Sequence, residues 1–166
     1  MTADPFWDFS LAVYARPGVE DACLALQERH GLDVNLLLFA LFAGSEGRRL
    51  TPTETARVAA GAAAWHEGVV RPLRRARRNA KAGLSPVDAA LTDALRRRVA
   101  GAEIEAERVE QLLIAALAGP PAAVEADRRA AAAANLARYL AHLGVDPDPP
   151  DRRRLDVLLA AAFTEG

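Results

Sequence analysis

The stretch W-H-E-G-V-V-R-P-L-R-R-A-R-R-N-A-K, residues 65–81, reads as one helix with a proline inside it. At about 100° per residue, Trp65, Val69, Leu73, Ala76 and Ala80 fall on one side. Arg71, Arg74, Arg75 and Arg78 fall within an arc of about 100° on the other, with Lys81 at its edge. Pro72 removes a backbone hydrogen bond and crowds the preceding turn, which predicts a kink near residues 68–72. Upstream, Thr51-Pro52-Thr53-Glu54 matches a capping box: a hydroxyl at the N-cap and a carboxylate three residues on. Downstream, Gly83 ends the helix and Ser85-Pro86-Val87-Asp88 starts another. The two should fold back as a long hairpin, 52–83 against 86–118. In the second arm Val87, Leu91, Leu95, Val99, Ala102, Ala106, Val109, Leu113 and Ala116 form one stripe at steps of three and four. Gly101 is its weak point.

The rest of the chain is helical in the same idiom. Asp4-Pro5 starts a first helix and Pro17-Gly18 stops it. Residues 19–30 form a second, closed by Gly31, with Ala22, Cys23 and Leu26 inward. Asp33 caps a third, 34–43, closed by Gly44 and apolar nearly all round, as a buried central helix should be. Residues 122–143 form another, V-D-P-D-P-P at 145–150 reads as a stiff linker, and 151–163 as a last short helix. These readings predict an all-α, single-domain bundle of six to seven helices with a buried central helix and a long hairpin. Its parts are a helical domain over 1–144, the linker 145–150, and a C-terminal helix in 151–166 that docks on the body or on a second subunit.

Composition agrees. Much of the 51% apolar content is alanine, and aromatic residues make up only 5%, which favours helices over sheets. A net charge of -1 predicts no global attraction to nucleic acid or membrane. The single cysteine, Cys23, allows no internal disulfide and reads as a small buried hydrophobe. The N-terminus has no basic region followed by an apolar run, so no signal peptide is expected. The strongest apolar run, 36–43, is far short of the roughly 20 residues of a membrane span. A cytoplasmic protein follows by default.

Motifs for catalysis are missing from the sequence. No P-loop, dinucleotide fingerprint, paired C-x-x-C or H-E-x-x-H is present. His30, His66 and His142 are far apart, and no two share helical spacing, so no metal ligand set and no cofactor is expected. Asn35 reads as a first-turn residue, and Phe6 and Trp7 as packing aromatics.

Charge is the unusual feature. Residues 65–98 carry nine Lys and Arg against Glu67, Asp88 and Asp93, a local +6, so the remainder of the chain stands at -7. Reflecting the hairpin about Leu84 sets Arg71 beside Arg97 and Trp65 beside Glu103. The acidic stripe Glu103, Glu107 and Glu110 then lies out of reach of the arginines. Arg96, Arg97 and Arg98 instead join the same basic end. Glu67 can pair with Arg71 four residues on. The remaining counter-charge has several candidate sources: carboxylates elsewhere in the fold or solvent, the acidic stripe of a second copy, an acidic protein surface, or a small anion. Nucleic acid is a weaker candidate, because no aromatic interleaves with the arginines to stack on bases.

Four blocks carry a resemblance: F-W-D-F-S-L-A-V-Y at 6–14, G-V-E-D-A-C-L-A-L-Q at 18–27, G-L-D-V-N-L-L-L-F-A-L-F-A-G at 31–44 and W-H-E-G-V-V-R-P-L-R-R-A-R-R at 65–78. Together, over about residues 6–78, they resemble an all-helical family of short proteobacterial proteins, conserved hypotheticals with a domain of unknown function. Phe42 stands where that family would carry tryptophan. The resemblance implies a bacterial cytoplasmic helical protein and brings no activity, substrate or partner with it.

The leading expectation is a non-enzymatic interaction or regulatory protein. Its basic face, Arg71, Arg74, Arg75, Arg78 and Lys81 with Arg96, Arg97 and Arg98, would contact an acidic partner. The alternative is a binder of, or enzyme acting on, a small anionic metabolite at the kink, in a pocket of Trp65, His66 and Glu67, with Arg71, Arg74, Arg75 and Arg78 as anion ligands. There His66 would be the one acid–base group.

Overall fold

Helix α3 (Val34–Ser45) is apolar almost all round, and the helices of residues 5–14, 19–30, 89–118, 128–142 and 149–162 pack on it. The computed structural model describes residues 4–164, so the outer ends of the expected 1–144 and 151–166 segments lie outside it. The other elements are α1 (Pro5–Tyr14), α2 (Val19–His30), α4 (Pro52–Trp65), a π-turn (His66–Val70), α5 (Arg71–Lys81), α6 (Ala89–Ala118), α7 (Arg128–His142) and α8 (Pro149–Ala162). Since α4, the π-turn and α5 run on end to end, the described residues form seven helical rods and no strand. The fold is an all-α single domain.

Core contacts follow from side-chain size. Phe6 of α1 meets Phe39 edge-on at 5.5 Å and stacks on Phe42 at 5.2 Å. The alanine run of α7 is a packing surface: Ala131 and Ala132 are fully buried, and Gly44 of α3 lies against the Ala132 backbone. Asn135 of α7 anchors the 46–51 connection. Its Nδ2 donates to Ala40 O (3.2 Å) and Arg48 O (2.8 Å), and its Oδ1 accepts from Leu50 N at 2.8 Å. Arg48 is itself buried and caps α6, donating to Ala118 O and Gly119 O at 2.7 Å.

Local signals set most helix starts. The capping box is complete: Glu54 N donates to Thr51 Oγ1 at 3.1 Å and Thr51 N to Glu54 Oε2 at 2.8 Å. Three boundaries differ from the sequence reading. Helix α6 begins at Ala89 because Asp88, not Ser85, accepts the first-turn N–H, from Ala90 at 2.9 Å. Helix α7 begins at Arg128 rather than 122, since residues 119–127 run across Gly47, with Glu125 N donating to Gly47 O at 2.7 Å. Pro149 and Pro150, read as linker, form the first turn of α8, where a missing N–H is harmless. That helix packs on α2 through the Arg29–Asp148 contact of 2.6 Å and the buried Asp151, which lies 2.7 Å from His30 Nε2.

Candidate functional site

The site is built around Pro72. In a regular α-helix its ring would press on the carbonyl of Gly68, and it has no N–H to offer there. The chain opens into a π-turn instead, with Arg71 N donating to His66 O five residues back. One extra residue in the turn rotates everything downstream by about 100°. Upstream the expected face holds: Trp65 is half-buried and its Nε1 donates to Ala106 O at 2.9 Å. Downstream the inward face advances by one position. Val70 is fully buried, and Arg74 and Arg77 turn in where Leu73 and Ala76 were expected; Ala76 is exposed.

The hairpin register differs as well. Residues 82–88 form a seven-residue connection, and α6 extends past the end of α5. Arg74 therefore meets Glu103, about two and a half turns beyond the position opposite it in a tight turn at Leu84. The acidic stripe, expected beside the alanine-rich arm, lies against the arginines. Arg74 reaches Glu103 and Glu107, each at 3.2 Å, and Arg77 also pairs with Glu103. The buried side of α6 is Glu103, Ala106, Glu110, Gln111, Ile114 and Ala118, and Val87, Leu91, Leu95, Ala102, Val109 and Ala116 of the expected stripe are exposed. Burial pushes the Glu107 carboxyl up against the pull of Arg74.

The remaining expected basic residues divide into paired and free. Arg71 is exposed and held by Glu67 at 2.9 Å. Arg96 and Arg97 share Asp93, at 2.8 and 3.5 Å. Among the described residues Arg75, Arg78, Lys81 and Arg98 have no carboxylate at ion-pair distance.

The same π-turn points His66 into the protein. Its Nδ1 lies 3.2 Å from Glu110 Oε2 on α6 and 3.3 Å from Asp33 Oδ2 at the N-cap of α3. All three are buried, with ligand-type atoms within 4.8 Å of one another. Asn35 Nδ2 donates to Glu110 Oε2 (3.1 Å), Gln111 Nε2 to Asn35 Oδ1 (2.9 Å), and Ser10 Oγ to Gln111 Oε1 (3.2 Å). Burial pushes the Asp33 carboxyl well up; its hydrogen bond with Glu110 and the charge there add to the shift, and His66 opposes it. Burial also raises Glu110, against the hydrogen bonds from Asp33 and Asn35. His66 Nε2 has no hydrogen-bond partner among the described residues.

His66 lines a cleft of about 340 Å³ together with Arg71, Arg74, Arg75, Arg78 and Asn79. Glu28 is the one carboxylate among the lining residues. Arg74 and Arg78 also border a larger cavity of about 620 Å³, on whose wall Asp33 and Asn35 sit. Of the alternative pocket trio, Trp65 and His66 contribute to the interior and Glu67 points to solvent. Sequence reasoning missed Asp33 and Glu110 as partners of His66, and Arg77 as part of the network. The one signal was the i, i+4, i+7 spacing of Glu103, Glu107 and Glu110 on a helix that must bury one side.

The chain belongs to the family described as protein of unknown function (DUF2390), whose family model matches residues 5–114. That span takes in Asp33, His66, the arginines of α5 and Glu110, and stops short of α7 and α8. No curated protein and no solved structure matches the chain. No described helix is long and apolar enough to cross a membrane.

Proposed function

We propose that this chain binds a small anionic metabolite, carrying phosphate or carboxylate groups, in the cleft between α2 and the π-turn. The observation that carries this reading is that Arg75 and Arg78, both without carboxylate partners, line the same cleft as His66. A cleft of about 340 Å³ suits a small ligand. Arginine supplies planar, bidentate donors matched to phosphate or carboxylate. Arg71 and Arg74 are already engaged by carboxylates, which leaves Arg75 and Arg78 to make the direct contacts. With its Nδ1 against carboxylates, His66 offers Nε2 to the bound anion as a hydrogen-bonding or acid–base group. We place this activity in the cytoplasm of a bacterium.

The test is a thermal-shift panel of phosphate monoesters, pyrophosphate and tricarboxylates, followed by calorimetry on the hits. Binding should weaken with salt and fall roughly tenfold or more in the Arg75→Gln/Arg78→Gln double variant. A panel without hits, or a hit indifferent to that double substitution, removes the reading.

A second reading, an acidic protein partner at the hairpin tip, is favoured by the apolar residues exposed there beside Arg98 and Lys81. Leu84 is 67% exposed and Leu91 66%. Pull-down with an Arg98→Glu/Leu91→Asp variant tests it; capture equal to wild type excludes that surface.

A further inference from the structure

We propose that Asp33, His66 and Glu110 form a binding site for a divalent transition-metal ion of the zinc or manganese class. The inference stands on these three side chains and not on the anion-binding reading of the arginines.

Geometry is the first support. His66 Nδ1 stands 3.2 Å from Glu110 Oε2 and 3.3 Å from Asp33 Oδ2. Two ligands of a tetrahedral zinc, each about 2.0–2.1 Å from the ion, are about 3.3–3.4 Å apart. The three ligands come from separate elements that fix them: a helix N-cap, the π-turn and the middle of α6.

An orphaned atom is the second. Glu110 is completely buried, yet its Oε1 has no hydrogen-bond partner. A cation among the three residues supplies what that carboxylate lacks. The nearby guanidiniums do not: Arg74 and Arg77 are spent on Glu103 and Glu107.

The surrounding shell is the third. The Ser10–Gln111–Asn35 chain of hydrogen bonds ends on Glu110 Oε2, and Asn35 N donates to Asp33 Oδ1 at 2.9 Å. Ligating carboxylates are oriented in this way in metal sites. One imidazole nitrogen with two carboxylate oxygens suits zinc, manganese or ferrous iron better than calcium or magnesium, which take sets of oxygen alone.

The experiment uses the full chain, stripped with EDTA and titrated with Zn²⁺ and Mn²⁺ by calorimetry. One ion per chain should bind and raise the melting temperature, and EDTA should reverse the rise. Asp33→Asn and Glu110→Gln are nearly isosteric, and asparagine is also a good N-cap. Each should weaken binding by roughly a hundredfold or more and abolish the metal-dependent rise. Arg75→Gln/Arg78→Gln should bind the ion as wild type does, which separates this site from the anion cleft. A readout that needs no variant is Co²⁺ loading of the wild type, which should give visible bands stronger than those of the aqueous ion. No saturable one-to-one binding, a Co²⁺ spectrum identical to the aqueous ion, or unchanged affinity in both carboxylate variants overturns the proposal.

Discussion

Glu103 on α6 accepts a hydrogen bond from Arg74 on α5 at 3.2 Å, with both side chains largely withdrawn from water. Arg77 pairs with the same carboxylate from the next turn. Removing Glu103 takes the only paired carboxylate from the part-buried Arg77 and leaves the largely buried Arg74 with Glu107 alone, which is more damaging than losing a surface pair. Glu103→Ala should destabilise the protein by about 3 kcal/mol in urea unfolding, while Arg71→Ala, which breaks only the exposed pair with Glu67, should change it by less than about 1 kcal/mol. Equal effects would show that the hairpin register differs from the one described.

The approach of α3 to α7 leaves no room for a methyl group at Gly44, where an added Cβ would lie 2.3 Å from Ala132 Cα. The obstacle is backbone, which cannot swing aside. Gly44→Ala should therefore lower stability by about 3 kcal/mol or yield insoluble protein. Gly101→Ala meets nothing within 4 Å and should be neutral or mildly stabilising, because alanine is the better helix former. Melting temperatures of the two variants test the contrast.

Burial, with the charge of Glu20 adding to it, pushes the Cys23 thiol up to about 12. The side chain is also wholly inaccessible. An aromatic disulfide reagent at pH 8 should leave the native protein unlabelled and react fully once it is unfolded. Stoichiometric labelling under native conditions contradicts this packing.

Acid should loosen the attachment of α8. Hydrogen bonding from Arg29 and from the Asp151 N–H holds the Asp148 carboxyl below its usual range. A carboxylate with a lowered folded pKa adds stability that is complete above the ordinary aspartate value of about 4 and is lost as the pH falls through the folded value. Asp148→Asn keeps a good N-cap but removes the ion pair. Wild type should exceed this variant in stability at neutral pH, and the gap should close on acidification below about pH 4. Added salt should narrow the gap at neutral pH too.

Features encoded by neighbouring residues were legible in the sequence. The Thr51–Glu54 box, the Asp33 cap and the buried character of residues 34–43 each depend on a few adjacent side chains, and all three are present. The meeting of Asp33, His66 and Glu110 was not legible, because the three are far apart along the chain and only tertiary packing joins them. The inward turn of Arg74 and Arg77 was hidden for another reason. A helical wheel advances by a constant angle, and the π-turn breaks that constancy at one point. Hairpin pairing was misjudged because it depends on whether Ser85 or Asp88 caps α6, and both are competent caps.

The π-turn also bears on how this helix tolerates changes in length. Its inward residues on the two sides, His66 and Val70 before Arg74 and Arg77, would keep their phase in an ordinary α-helix one residue shorter. In structural terms the turn is a single-residue insertion absorbed in place, and Pro72 is the residue that such an insertion accommodates. Deleting Gly68 alone would force the proline ring against a carbonyl, whereas the deletion combined with Pro72→Ala would leave both faces aligned. Among relatives of this chain, a helix of the shorter length should therefore lack the proline, whereas one of this length can carry it or not.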